Sequence, residues 1–254
     1  MCSNYQPVTS EDRLLTFFGV DKDPAKQVQT PAEVWPLYLA PFIRLAEDGS
    51  GNRIIEHGQF GMMLPFRAEL AYGRKTYNAR TETVDQLITF KSAWANGQRC
   101  VIPAEAIYEP CFESGQAVSW RIHRPGGVPM GIAGVYRMGI TKAGEKIWSF
   151  AMLTVNAAGH PVFQRMHRPQ DEKRMLLILD EEDYSDWLTC SEPKARIYWR
   201  QWDGALDSEA APLPPRQRSP KGAKAPTPKM AKEKPAKAPR ELPRPSDPGS
   251  GDLF

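Results

Sequence analysis

Val118-Ser119-Trp120-Arg121-Ile122-His123, then Arg124-Pro125-Gly126-Gly127, then Met130-Gly131-Ile132-Ala133-Gly134-Val135-Tyr136 is the run whose reading decides the fold. The first six residues alternate in polarity and end at a Pro-Gly-Gly turn. The next seven are apolar enough for a buried strand. Met130 to Tyr136 and Ile147 to Val155 complete an antiparallel-looking set. Downstream, Met175 to Leu179 reads as a short buried strand. Upstream, Arg99 to Ile102 leads to Pro103 and Ala106 to Tyr108 follows, which predicts two short strands separated by the proline.

Helices are fewer. Ser10 is placed to cap a helix with Asp12 in its first turn, running through Leu14, Leu15, Phe17 and Phe18 to Gly19. Val84 to Asn96 reads as a second, with Leu87, Ile88, Phe90 and Trp94 near one face and Asn96-Gly97 ending it. Glu181 to Leu188 reads as a third with Trp187 inward. Pro31 to Glu47 is proline-broken and half irregular. Arg53 to Met63 and Ala68 to Arg74 are short segments separated by a Pro65 turn. Many short strands with few helices between them predict an α+β fold: a single mixed, largely antiparallel β core with flanking helices.

The chain has 254 residues, 41% of them hydrophobic and 25% charged, as expected of a globular protein. No apolar run approaches the ~20 residues of a membrane span, so the expected location is cytoplasmic, with nucleoid association, and a monomer is the default. Cys2, Cys100, Cys111 and Cys190 show no metal-ligand spacing, and His57, His123, His160 and His167 form no HExxH pair. No metal and no cofactor are expected. Between Pro212 and Pro245 ten Lys/Arg face only Glu233 and Glu241, and ten prolines fall in the same stretch. The net charge of +3 therefore belongs to the tail and not to the body. The expected division is a catalytic domain over residues 2–206 and a disordered Pro/Lys-rich tail over 207–254. The tail's cations suit phosphates, or solubility alone. Its apolar end, Leu253-Phe254, suits a partner's groove.

Four stretches carry candidate chemistry. Removal of Met1 would leave Cys2 with an α-amine and a thiol on adjacent carbons. An α-amine titrates near ~7.8 against ~10.4 for lysine, so it has roughly 400 times the neutral fraction at physiological pH. It can attack an aldehyde to give a Schiff base, after which the thiol can close a five-membered ring. Most second-position cysteines are nonetheless inert. In Tyr77-Asn78-Ala79-Arg80-Thr81-Glu82, an extended backbone puts Asn78, Arg80 and Glu82 on one face. That face suits a phosphate, or is a surface strand with an Arg–Glu pair. Glu105 and Glu109, in and after an apolar run, compete as a partly buried acid/base, and periodicity does not separate them. Strand-to-loop residues Thr154 to His160, then Met166-His167-Arg168-Pro169 and Lys173-Arg174, resemble a site rim, with either histidine able to serve.

In this order, Met1-Cys2, Tyr77-Asn78-Ala79-Arg80-Thr81-Glu82-Thr83, Arg99 to Glu109, Gly131 to Tyr136, Met166-His167-Arg168-Pro169 and Arg174 to Leu179 resemble the SRAP family, the SOS-response-associated peptidases that shield abasic sites in single-stranded DNA. The resemblance spans roughly residues 2–190. It implies that Cys2 is the N-terminal nucleophile, forming a thiazolidine crosslink with the aldehyde of a ring-opened abasic site. Asn78 and Arg80 match the pair that positions the lesion and its phosphate. Glu109 matches the family's proton-shuttling glutamate, and His167 its histidine of lyase chemistry and crosslink reversal. Self-removal of the terminal methionine is also implied. The Leu253-Phe254 end weakly resembles peptides bound by bacterial replication clamps.

Some positions depart from the family pattern. Asn4 stands where many relatives have Arg, Phe60-Gly61-Met62-Met63-Leu64-Pro65 replaces a Trp-Gly-Leu-x-Pro segment, and Pro110 replaces a tryptophan. The expected consequence is a changed DNA surface, with Phe60 partly replacing the lost stacking. Two other functions fit the same residues: a peptidase acting on separate proteins through Cys2 and His167, and a noncovalent nucleic-acid-binding module whose main contact is the tail.

Overall fold

The computed structural model describes residues 2–20, 29–64, 69–141 and 144–212. The chain divides into two compact units, residues 1–214 and 215–254, and every described residue belongs to the first. Met1, the Pro65 turn and most of the Pro/Lys-rich tail, with its Leu253-Phe254 end, lie outside the described residues.

In chain order the strands are β1 (Asn4–Pro7), β2 (Leu39–Leu45), β3 (Arg53–Phe60), β4 (Asn78–Arg80), β5 (Arg99–Cys111) and β6 (Val118–His123). They continue as β7 (Met130–Ile140), β8 (Lys146–Asn156), β9 (Arg174–Leu176), β10 (Ile178–Leu179) and β11 (Asp207–Ala210). All belong to one sheet. Its order is β10-β7-β8-β3-β2-β5-β6-β11, with β1 on β5 and both β4 and β9 on β8. Because β5 also pairs with β7, strands β7, β8, β3, β2 and β5 form a closed circuit. Closure leaves those five without a free edge. Most pairings are antiparallel, and β3 and β4 run parallel to β8. The expected mixed, largely antiparallel α+β core is the one observed.

The circuit is filled by aromatic rings. Phe60 stacks on Phe150 with centroids 5.5 Å apart, Phe42 meets Phe150 at 5.5 Å, and Tyr5 meets Phe60 edge-on at 5.4 Å. Each such ring contributes about 1.5–3 kcal/mol through burial. Helix α1 (Glu11–Phe18) buries Leu14 and Phe18 and ends at Gly19, whose φ of 64° a left-handed cap requires. Ser10 occupies the N-cap position, but its side chain makes no capping hydrogen bond. The expected third helix is a 3-10 turn over Glu181–Asp183 leading into α3 (Tyr184–Thr189), with Trp187 fully buried. A short α4 (Glu192–Ala195) follows.

Several expectations are corrected. Val84 to Asn96 is not one helix. Thr83 accepts the amides of both Gln86 and Leu87, the chain turns again at Phe90, and only α2 (Lys91–Ala95) is helical. Leu87 and Ile88, which the helical period placed near the inward face, are exposed. Pro103 does not interrupt the sheet: β5 runs unbroken for 13 residues. Its first half pairs with β7, with Pro103 opposite Gly131, and its second half with β1 and β6. The Pro103 carbonyl still serves, accepting from the Val8 amide at 3.0 Å. The Met175 to Leu179 strand is divided at Leu177, whose amide binds Leu153 and whose carbonyl accepts from Ala133. Residues 207–210, read from sequence as the start of the tail, form β11 on β6.

Candidate active site

β1 carries the amino-terminal end of the chain into the sheet. Its register sets Asn4 opposite Tyr108 and Gln6 opposite Ala106, then slips so that Pro7 meets Ala104. The slip leaves Glu105 as the extra residue of a β-bulge, which breaks the alternation along β5. Glu105 is thereby drawn to Arg13, whose guanidinium grips both its oxygens at 2.7 and 2.6 Å. Glu109, four residues on, is buried beneath the chain end that β1 supports. The two glutamates that period-two counting treats alike are thus placed in different surroundings.

Two residues before β1 begins, Cys2 is also buried. Its thiol donates to the Asn4 carbonyl at 3.2 Å. Its own carbonyl accepts from the Asn78 amide at 2.8 Å. Asn78 opens β4, next to fully buried Ala79. The Asn78 carbonyl oxygen is itself buried and has no hydrogen-bond partner among the described residues. Burial, and then the neighbouring Glu109 carboxylate, push the Cys2 thiol well up from its ordinary range, so it is a neutral thiol here.

His167 arrives from the loop between β8 and β9. Its amide donates to the Pro110 carbonyl at 2.6 Å, and its backbone sits at φ 62°, a left-handed conformation uncommon for histidine. Nε2 of its ring lies 3.4 Å from Oε2 of Glu109. Burial pushes Glu109 up to about 7 and His167 down to about 4. Both changes favour neutral partners, a carboxylic acid beside an unprotonated imidazole. Such a pair can hand a proton to a reacting oxygen or nitrogen near neutral pH. A thiol just before β1, an acid on β5 and a base from the β8–β9 loop are thus brought together, with the Asn78 side chain of β4 holding the Cys2 carbonyl, a set with the chemistry for addition to a carbonyl.

The second histidine is structural. Both nitrogens of His160 are engaged, Nδ1 accepting the amides of Val162 and Phe163 and Nε2 donating to the Trp202 carbonyl. Arg80 is half exposed at the far end of β4, paired with Glu172 at 2.7 Å. Glu82 falls in the 3-10 turn after the strand and binds Arg174 with both oxygens, so the Arg–Glu pairing is not the one the extended reading suggested. Phe60 is corrected as a DNA contact: its ring is 0% exposed within the core, where no base can stack on it.

A family model described as SOS response associated peptidase (SRAP) matches residues 1–207. The chain belongs to the SRAP family. It is 25% identical over 193 residues to the abasic site processing protein YoqW of Bacillus subtilis, a match covering 74% of this chain and 80% of that protein. A crystal structure from Bordetella bronchiseptica is 39% identical, with a TM-score of 0.76, and covers 84% of this chain and 100% of that one. One from Bacteroides thetaiotaomicron, at 18% identity and a TM-score of 0.68, shares the fold over 82% of this chain and 91% of its own.

The departures from the SRAP pattern are accommodated locally. Asn4 is buried and its amide reaches Glu33 at 3.5 Å. Pro110 lends its carbonyl to His167, a contact that requires only backbone. Part of this candidate site, Phe112, Glu113, Gln164 and Arg165, escaped the sequence reading. A groove of about 400 Å³, lined by Phe112, Glu113, Gln164, Arg165, Pro169 and Lys173, opens against His167. Arg165 is held in it by both oxygens of Glu113 and lies 4.6 Å over the Trp120 ring. A cluster of cations after His160 was the available signal, and the bridges of Cys111 to Met166 and His167, with the His167 amide on Pro110, bring that loop to β5.

Proposed function

We propose that this chain recognises abasic sites in single-stranded DNA and joins them covalently through Cys2. The observation that carries this reading is the convergence of Cys2, Asn78, Glu109 and His167 from four separate segments. It is supported by membership of the SRAP family and by the likeness to a protein named for abasic site processing.

Hydrolysis of the Met1–Cys2 bond frees the α-amine, which adds to the C1′ aldehyde of the ring-opened deoxyribose. The carbinolamine loses water to give an imine. The thiol sulfur then bonds to the imine carbon, and the thiol proton passes to nitrogen, closing a thiazolidine. The sulfur attacks as its proton leaves, the thiolate being the nucleophile. Glu109, near 7, supplies a proton in ring opening and takes one back, and His167 serves the lyase and reversal steps. Asn78 holds the Cys2 carbonyl, and its unpartnered oxygen is available to the freed amine. Arg80 takes the lesion's phosphate, its guanidinium exchanging Glu172 for a phosphate oxygen.

Intact-protein mass spectrometry with and without abasic single-stranded DNA tests the reading. A heat-stable adduct on chains that have lost Met1, absent from Cys2→Ala, is expected. No adduct on processed wild type, or an undiminished one with Cys2→Ala, overturns it. Cleavage of another protein without DNA would instead select a peptidase acting in trans, and binding that depends only on the tail would select a noncovalent module. The tail's Leu253-Phe254 end is proposed as a replication-clamp contact, and deleting the pair should abolish clamp pull-down.

A further inference from the structure

The loop that delivers His167 is held by a residue with no role in the chemistry above. Lys173 directs its ammonium at three consecutive carbonyls, those of Met166 at 2.8 Å, His167 at 3.4 Å and Arg168 at 2.8 Å. An ammonium is a compact charge with three donors, which matches three convergent carbonyls as a planar guanidinium does not. The Lys173 backbone is itself fixed, its carbonyl accepting the Ala157 amide at 2.8 Å just beyond β8. The other end of the loop is pinned by the His167 amide on Pro110 of β5. Between those anchors the backbone of His167 turns through φ 62°, where a β-carbon is crowded and the local preference is for another conformation. Something must hold it there, and the three carbonyls gathered on one cation do so.

We propose that Lys173 is a positioning residue for His167: by gripping the carbonyls of residues 166–168 it holds the left-handed turn that aims the imidazole at Glu109. The inference rests on the assignment of His167 to the reaction. Lys173 also lines the groove, so its charge faces the site as well as the loop. The charged groups around the imidazole are Glu109 from β5, Lys173 and Asp171 from its own loop, and the amino terminus. Of these, Lys173 and the amino terminus disfavour the protonated ring and Asp171 favours it, while the Arg174 backbone accepts a hydrogen bond from it.

The experiment follows His167 in the full-length chain by NMR of carbon-13-labelled histidine through a pH titration, beside the rate of the His167-dependent step on abasic single-stranded DNA. In Lys173→Met the His167 midpoint should rise by about one pH unit, the rate should fall about tenfold, and the acid limb of its pH profile should move up with the midpoint. Lys173→Arg keeps the charge without the geometry, so the rate should fall while the midpoint moves less. The His160 signal, from a ring engaged elsewhere, reports that the fold is intact. If it is lost in Lys173→Met, then Lys173→Gln takes its place. A folded variant with wild-type His167 titration and wild-type rate overturns the proposal. Should His167→Ala leave the reaction untouched while Lys173→Met still shifts the His167 midpoint, the chemical assignment fails and the positioning role stands.

Discussion

Glu109→Gln should make the protein more stable at alkaline pH while impairing its chemistry. Burial lifts the Glu109 carboxyl from an ordinary 4.5 to about 7. At about 1.4 kcal/mol per pH unit, that gap amounts to about 3 kcal/mol. A carboxyl whose folded pKa is raised contributes stability that is fully present below the unfolded value. That contribution is lost as the pH climbs from about 4.5 to about 7, and the loss is flat above. Glutamine keeps the shape and a donor toward His167 but cannot ionise, so the variant loses nothing over that window. Relative to their difference at pH 4, the variant should gain about 3 kcal/mol on wild type by pH 8. That corresponds to about 6–12 °C in melting temperature for a domain near 200 residues. Paired thermal or urea melts between pH 4 and 9 measure it. Parallel curves across pH 4.5–7, or a wild type that gains on the variant there, would refute the buried-acid assignment. The same substitution should slow crosslinking about 10²-fold or more, since the donor proton is gone.

Other substitutions separate structure from chemistry. His160→Ala removes two accepted hydrogen bonds and one donated, so it should cost about 2–3 kcal/mol in denaturant melts while leaving crosslinking per folded molecule unchanged. Gly61→Ala would bring a β-carbon to 2.2 Å from the Gly73 carbonyl oxygen at a φ of 116°. It should destabilise by about 3 kcal/mol or more, and a melt within about 1 kcal/mol of wild type would contradict the packing described. Glu105→Gln disturbs a partly exposed pair with Arg13 and should cost at most about 1 kcal/mol, without effect on crosslinking. Arg80→Ala should weaken single-stranded DNA binding at all sequences and lower the slope of log affinity against log salt by about 1, read by fluorescence anisotropy across a salt series.

Strands that alternate, or are wholly apolar between turn residues, were legible in the sequence, because each satisfies its pattern locally. Val118–His123 and the turn at Pro125–Gly127 are examples, although that turn does not reverse the chain, since β6 and β7 both run antiparallel to β5. What was hidden depends on partners far along the chain. Pro103 reads as a break until β7 and β1 are seen to share β5. Leu87 and Ile88 mimic a helical face because a sequence does not show which apolar residues stay in solvent. The site repeats the lesson. Asn78 and Arg80 do share a strand, as their spacing suggested, whereas the choice between Glu105 and Glu109 turns on a bulge set by the register with β1. The choice between the histidines turns on whether the ring meets Trp202 or Glu109. Lys173 read only as one cation of the site rim, since nothing in a lysine's neighbours in sequence announces three carbonyls folded around it.

The pairing of Asn4 with Tyr108 also sets a timetable. A ribosome adding about 5–20 residues per second needs roughly 5–20 s to travel from one to the other, and through that interval the first residues have no strand to join. An external aminopeptidase has this window in which to reach the Met1–Cys2 bond. Once β5 emerges and β1 docks, Cys2 is buried and that window closes.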